Sequence, residues 1–322
     1  MNNVTFGNEM DFVAAIKKSR QSATPAKDAD KYFFPDFKQS FIKTSGAVIN
    51  TLIGGNGTPL LLLHGHPETH ATWHKVASLL AQQFTVVMTD LRGYGDSSKP
   101  DGGQDHIHYS KREMGQDQIE VMKELGFHKF QAVGHDRGGR VLHQMMLDYP
   151  NIVDRAVVLD IAPTSLMYAQ AGQKFAKKYF WWFFQIQNEP LPENMINATL
   201  EYYLKDHLSV QNKTTGAITP EAFAEYFRCY QNPACVHAVC EDYRAAATID
   251  IAIENEFKGQ KVKTPLLALW GAKGTVGHLF DVIGMWKERA EKVSGRALPC
   301  GHLIPEEDPQ DLISEINKFL HK

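Results

Sequence analysis

The stretch FQAVGHDRGGRVL, Phe130–Leu142, constrains this chain more than any other. An apolar run leads into a glycine-flanked tip and then into a helical pattern. It reads as a buried strand, a sharp turn and a helix. Gly134 and Gly138 flank Asp136 in a G-x-D-x-G arrangement. Such glycines permit a tight turn that lifts the middle side chain clear of a sheet, and the first amides of the helix favour an anion there. A serine at this tip would attack acyl carbon. A carboxylate is a poor acyl nucleophile, but it can displace a leaving group from saturated carbon and form an alkyl ester on the protein. The plainer alternative is an aspartate that only caps its helix.

An ester on Asp136 must be hydrolysed, so a base is needed. His302 in PCGHLIPEE follows the last strand pattern. In a doubly wound sheet that loop lies at the carboxyl ends of the strands, where ligands bind, and a histidine there can deprotonate water. The chain has 14 histidines, so a surface-loop histidine is the alternative. A base histidine needs an acid to fix its tautomer. The loop LWGAKGTVGH has none before Asp281, whereas AVVLDIAP ends its strand with Asp160. Asp160 is therefore the expected orienting acid and Asp281 the rival. In LLHGHPETHATWH, Gly65 allows a turn that aims the His66 amide, together with that of Arg137, at an oxyanion. His64, His70 and His74 in the same stretch lack the spacing of a metal motif, and no metal is expected.

The surrounding pattern places these residues. TPLLLLHGHP, TVVMTDLRGYG, KFQAVGHDRGG and VDRAVVLDIAP read as buried strands alternating with helices such as SKREMGQDQIEVMKELGF. That order predicts an α/β fold: a doubly wound, mostly parallel sheet with helices on both faces. From Thr164 the strand runs cease. PENMINATLEYYLKDHL, TPEAFAEYFRCYQ and HAVCEDYRAAATIDIAIENEF carry helical periodicity before strands return at TPLLALWGAKG. The expected organisation is an N-terminal extension at 1–30, a core at 31–163 and 259–322, and an inserted helical cap at 164–258. Within the extension, EMDFVAAIKKSR reads as one short amphipathic helix.

Composition sets outer bounds. A net charge of −3 over 322 residues gives no nucleic-acid footprint and no polybasic membrane patch. The four cysteines form no C-x-x-C pair and read as reduced spectator thiols of a cytoplasmic protein. No secretory leader or spanning segment is expected.

Taken together, YFFPDF, LLLLHGHPETHATWH, DLRGYGDSSKP, GHDRGGRV, LDIAPT, CEDYRAAATID, LWGAKG and CGHLIPEE resemble the α/β-hydrolase superfamily. Within it they are similar to the haloacetate (fluoroacetate) dehalogenases and their neighbours, the epoxide hydrolases, from about Tyr32 to Leu320. The resemblance implies Asp136 as nucleophile, His302 as base and Asp160 as acid. Arg137 and Arg140 match a pair that grips a substrate carboxylate, in keeping with guanidinium geometry at adjacent positions on one helix face. Pairing of Arg140 with a cap carboxylate is the alternative. Tyr243 matches a tyrosine facing the leaving group, and Trp182 a tryptophan whose indole N–H donates to halide. No cofactor is implied, and the partner is a small carboxylate substrate; a homodimer through the cap follows from family likeness. In the epoxide hydrolase alternative Tyr243, helped by Tyr179, protonates an alkoxide.

One departure stands out. Fluoroacetate-cleaving members carry a histidine before the tryptophan, and here KYFWWFFQ places Trp181 there. A second indole either suits a larger, softer halide or packs as part of an aromatic wall under the cap. Fluoride is small and strongly hydrated, so losing a donor hurts it most. Chloroacetate and bromoacetate are therefore expected to turn over faster than fluoroacetate in a halide-release assay, and a fluoride rate at or above chloride would contradict this reading of Trp181.

Overall fold

The computed structural model describes residues 29–321. Eight strands form one sheet: β1 (Lys38–Lys43), β2 (Val48–Gly55), β3 (Thr58–Leu63), β4 (Phe84–Thr89), β5 (Phe130–His135), β6 (Val153–Leu159), β7 (Leu266–Gly271) and β8 (Val293–Leu298). Their spatial order is β1-β2-β4-β3-β5-β6-β7-β8. β1 pairs antiparallel with β2, and β2 with β4; all later pairings are parallel. This is the α/β-hydrolase architecture.

The central strands read as unbroken apolar runs because both of their faces are covered. Side chains alternate across the sheet. Leu61 and Leu63 enter a core with Val141, Leu142 and Met145, while Leu60 and Leu62 enter a second core with Trp73, Leu312 and Ile316. The first core is built on helices α1 (Lys111–Glu124) and α2 (Asp136–Asp148). The second rests on the turn His70–Lys75 and the terminal helix Pro309–Leu320. β1 went unrecognised in the sequence because it is a half-covered edge strand in which only Ile42 is buried.

Between β6 and β7 run eight helices, among them α3 (Phe180–Phe184), α4 (Leu200–Gln211) and α5 (Pro233–Ala247). Two stretches that read as continuous helices are each split. Thr199 and Thr248 leave helical geometry, and each hydroxyl donates back to the carbonyl four residues earlier, Met195 at 3.0 Å and Arg244 at 2.6 Å. Threonine's short side chain competes with the helical ladder and stops it there. No helix among the described residues is long and apolar enough to cross a membrane.

The amphipathic helix expected within the first thirty residues lies outside the described part. The end of that extension is bound to the core. Asp30, in the short helix Ala29–Phe33, lies 2.7 Å from Nε2 of His70, whose Nδ1 lies 2.8 Å from Asp90. Burial would lower the His70 pKa, but the two carboxylates hold it well above the usual imidazole value.

α2 meets β3 through glycine. A Cβ on Gly138 would stand 2.5 Å from the carbonyl oxygens of His64 and Leu63, and the Gly138 amide donates to His64 at 2.9 Å. Gly138→Ala should destabilise the protein by about 1–3 kcal/mol through overpacking against backbone. Urea unfolding measures this, and an unchanged midpoint would show that the helix is not held at this contact.

Candidate active site

Asp136 follows β5 and opens α2. Its φ is +41°, a conformation costly for any residue with a Cβ. Glycines around it make the turn sterically feasible: a Cβ on Gly65 would lie 2.6 Å from Cβ of Asp136, and one on Gly134 2.6 Å from Cα of Gly139. The His66 amide donates to Oδ2 of Asp136 at 3.1 Å. Arg137, in the first helical turn, has its amide among those with no carbonyl four residues back. Burial would raise the Asp136 pKa. The charges of His302, Arg140, Arg137 and His135 outweigh it and keep the carboxyl well below the usual range. Asp136 is thus an anion at neutral pH, held from one oxygen.

His302 lies in the loop after β8, and its Nδ1 stands 2.5 Å from Oδ2 of Asp160. Asp160, just past β6, also adopts positive φ at +49° and accepts from the Gly271 amide at 2.9 Å through Oδ1. The rival Asp281 instead caps a helix, accepting from the Gly284 amide at 2.9 Å. Beneath this pair, His135 bridges Glu68 at 2.7 Å and the His302 carbonyl at 2.9 Å. Burial opposes charge on His135, but Glu68 outweighs it and raises the pKa to about 9. Its two N–H groups therefore tie the loop after β3, the turn after β5 and the loop of His302 together.

The arginines divide their work differently from the expected pair. Arg137 spends its fork on a cap carboxylate: Nε and Nη2 donate to Asp242 at 2.8 and 2.7 Å, and Nη2 also to its carbonyl at 2.9 Å. Asp242 is shared with Lys111 and with the Tyr94 hydroxyl at 2.7 Å. The cap-carboxylate pairing considered for Arg140 thus belongs to Arg137. Arg140 donates from Nη1 to the Ala162 carbonyl at 3.1 Å and to Thr164 at 2.9 Å. Nη1 of Arg137 and Nε of Arg140 are buried with no partner among the described residues. Each arginine is thus left with one unpartnered nitrogen and not with a free fork.

Aromatic rings wall this space. Arg137 lies 4.3 Å from the Tyr243 ring and Arg140 4.7 Å from that of Trp182, and those two rings are 6.4 Å apart. Trp181, also on α3, packs 4.3 Å from the ring of His207. Tyr179, Trp181, Gln211 and His302 line one pocket. His64, His70 and His74 are engaged separately: His64 accepts from the Leu91 amide, His70 sits between carboxylates, and His74 meets the Ala71 carbonyl. No group of three potential metal ligands occurs among the described residues.

Sequence reasoning passed over Glu68, His135, Asp242 and His207. Three of them sat inside or beside quoted motifs: His135 before Asp136, Glu68 in HGHPE and Asp242 before Tyr243. His207 had only its helical spacing from Gln211 to offer.

The alpha/beta hydrolase fold family matches residues 58–309. A fluoroacetate dehalogenase of Burkholderia sp. is 40% identical over 288 residues, covering 89% of this chain and 95% of that protein. A soluble epoxide hydrolase of Corynebacterium sp. (strain C12) is 35% identical, covering 85% and 94%. A crystal structure of a candidate alpha/beta hydrolase from Nostoc sp. PCC 7120 superposes with a TM-score of 0.88 at 53% identity, covering 89% of this chain and 99% of that one.

The His135 ion pair makes a pH prediction. Its folded pKa, about 9, exceeds the unfolded value near 6.5. The stabilisation is complete below about 6.5 and is lost as pH rises through about 9, amounting to at most about 3 kcal/mol. Urea unfolding at pH 6.5 and pH 10 should show this decline, and His135→Gln should lessen it. Identical pH dependence in both proteins would remove His135 from the explanation.

Proposed function

The chain belongs to the alpha/beta hydrolase fold family, and from that premise we propose that it cleaves the carbon–halogen bond of a small 2-haloacid. The observation that carries the reading is the pair of unpartnered guanidinium nitrogens, Nη1 of Arg137 and Nε of Arg140, buried beside the anionic Asp136. Each needs an acceptor, and a substrate carboxylate supplies two oxygens. A carboxylate held there sets the adjacent carbon near the Asp136 turn.

Oδ2 of Asp136 is held by the His66 amide, so Oδ1 is the attacking atom. As the Oδ1–carbon bond forms, the carbon–halogen pair leaves with the halide. His302, kept in one tautomer by Asp160, then takes a proton from water. That water attacks Cγ of Asp136, and the amides of His66 and Arg137 receive the oxyanion. Collapse breaks the Asp136 Cγ–Oδ1 ester bond, the leaving alkoxide takes the proton back from His302, and a 2-hydroxy acid carrying that aspartate oxygen departs. Trp182 and Tyr243 stand as donors to the departing halide. The cycle needs neither metal nor cofactor.

An epoxide hydrolase is the second reading, supported by the Corynebacterium relative. It would use the same Asp136, His302 and Asp160, with Tyr243 donating a proton to the opening ring. The free arginine nitrogens favour the haloacid, because a simple epoxide brings no carboxylate to meet them.

Incubating His302→Asn protein with chloroacetate should leave a stable ester on Asp136, seen by mass spectrometry. An adduct from styrene oxide alone would favour the second reading, and none from either would sink both. Arg140→Leu should raise KM for chloroacetate by about tenfold or more, since one charge-assisted hydrogen bond is lost. An unaffected KM would remove Arg140 from carboxylate binding.

A further inference from the structure

We propose that His207 donates a hydrogen bond from Nδ1 to the departing halide and so determines which carbon–halogen bonds this site breaks well. The proposal rests on the dehalogenase reading and adds a residue that no sequence motif indicated.

His207 lies on α4 of the cap and is 2% exposed. Its ring is wedged between two rings of the site, 4.3 Å from Trp181 and 4.7 Å from His66. Trp181 shares a pocket with His302, and the His66 amide holds Asp136. His207 feels the charges of both Asp136 and His302, so it belongs to the reaction site and not to a remote part of the cap.

Its tautomer follows from its neighbour. Gln211, one helical turn along, places its side-chain amide nitrogen 2.7 Å from Nε2 of His207. With the amide nitrogen facing the ring, Nε2 accepts, and the single proton of a neutral imidazole sits on Nδ1. Burial keeps the ring neutral. Nδ1 is itself buried and has no partner among the described residues. A buried donor without an acceptor is costly and calls for an explanation.

The substrate carboxylate does not supply that acceptor. It is met by Arg137 and Arg140, which lie against Tyr243 and Trp182. The remaining polar requirement of a 2-haloacid is its leaving group. As Oδ1 of Asp136 bonds to carbon, the halogen departs with the bonding pair. Nδ1–H of His207 donates to the new anion and keeps its proton, so no proton transfer is needed. His207 thereby adds a donor from α4, the helix whose Gln211 lines the pocket shared by Trp181 and His302.

The effect should grade with the halide. Fluoride has the highest charge density and depends most on tight donors, while bromide depends least. The test compares halide release from fluoro-, chloro- and bromoacetate in wild type, His207→Phe, His207→Gln and Gln211→Leu. Phe keeps a ring without the donor, Gln retains an N–H, and Gln211→Leu leaves the imidazole in place with its tautomer no longer fixed. The expected result is a drop of about tenfold or more in kcat for fluoride relative to bromide in His207→Phe, the order for one lost donor to a developing charge. His207→Gln should recover part of it, and Gln211→Leu should shift the ratio the same way. Quenching of tryptophan fluorescence by free chloride and bromide should weaken in His207→Phe, a readout independent of turnover. Equal slowing of all three substrates, or an unmoved ratio in both His207→Phe and Gln211→Leu, would overturn the proposal. The His302→Asn adduct separates the two levels. An ester on Asp136 with an unmoved ratio removes only the role of His207, whereas no ester removes the dehalogenase reading and this inference with it.

Discussion

The site depends on backbone packed against backbone at the start of α2. Gly138 sits where a single added carbon would meet the end of β3, and Gly65 and Gly134 leave equally little room. This close approach forces Asp136 into positive φ and holds it there. A strained conformation of that kind persists only where its surroundings over-determine it. Here the surroundings are a sheet buried on both faces, the Gly138–His64 hydrogen bond and the His66 amide on the carboxylate. Asp160 repeats the device at the end of β6, so both acids of the proposed triad are aimed by strained backbone.

Charge is arranged around that strain. Burying an anion is costly unless positive groups stand near it. Asp136 has Arg137, Arg140, His135 and His302 around it. Not all of these groups are free to meet a ligand. Asp242 and Lys111 fix most of the Arg137 fork, and Glu68 fixes His135. What remains unpartnered is small and specific: one nitrogen from each arginine. The cap thus contributes more than a lid, because its Asp242 orients a side chain of the core.

Much of this was readable in the chain. GHDRG, AVVLD and PCGH end strands in a buried sheet, and the topology of such a sheet brings strand ends together, so Asp136, Asp160 and His302 could be named before any coordinates. The helical segment after Thr164 was equally plain from its periodicity. Side-chain partnerships were not. Whether Arg137 or Arg140 meets a cap carboxylate depends on how α5 docks, and docking leaves no local pattern. His207 shares that limit, since a histidine at helical spacing looks like any other. β1 was missed because an edge strand with one covered face lacks an apolar run, and the breaks at Thr199 and Thr248 because a single threonine seldom ends a helix.

The clasp between Asp30, His70 and Asp90 has a bearing on the far end of the molecule. His70 belongs to the turn that leads directly out of the loop carrying His66 and Glu68, so the helix Ala29–Phe33 buttresses that loop from outside. A chain trimmed to begin after this helix would leave an interior imidazolium with one counter-ion in place of two. The loop carrying His66 and Glu68 would lose an anchor while Asp136, Asp160 and His302 themselves stayed unaltered. The proper start of the functional unit is therefore set by electrostatics in the interior and lies ahead of the first strand.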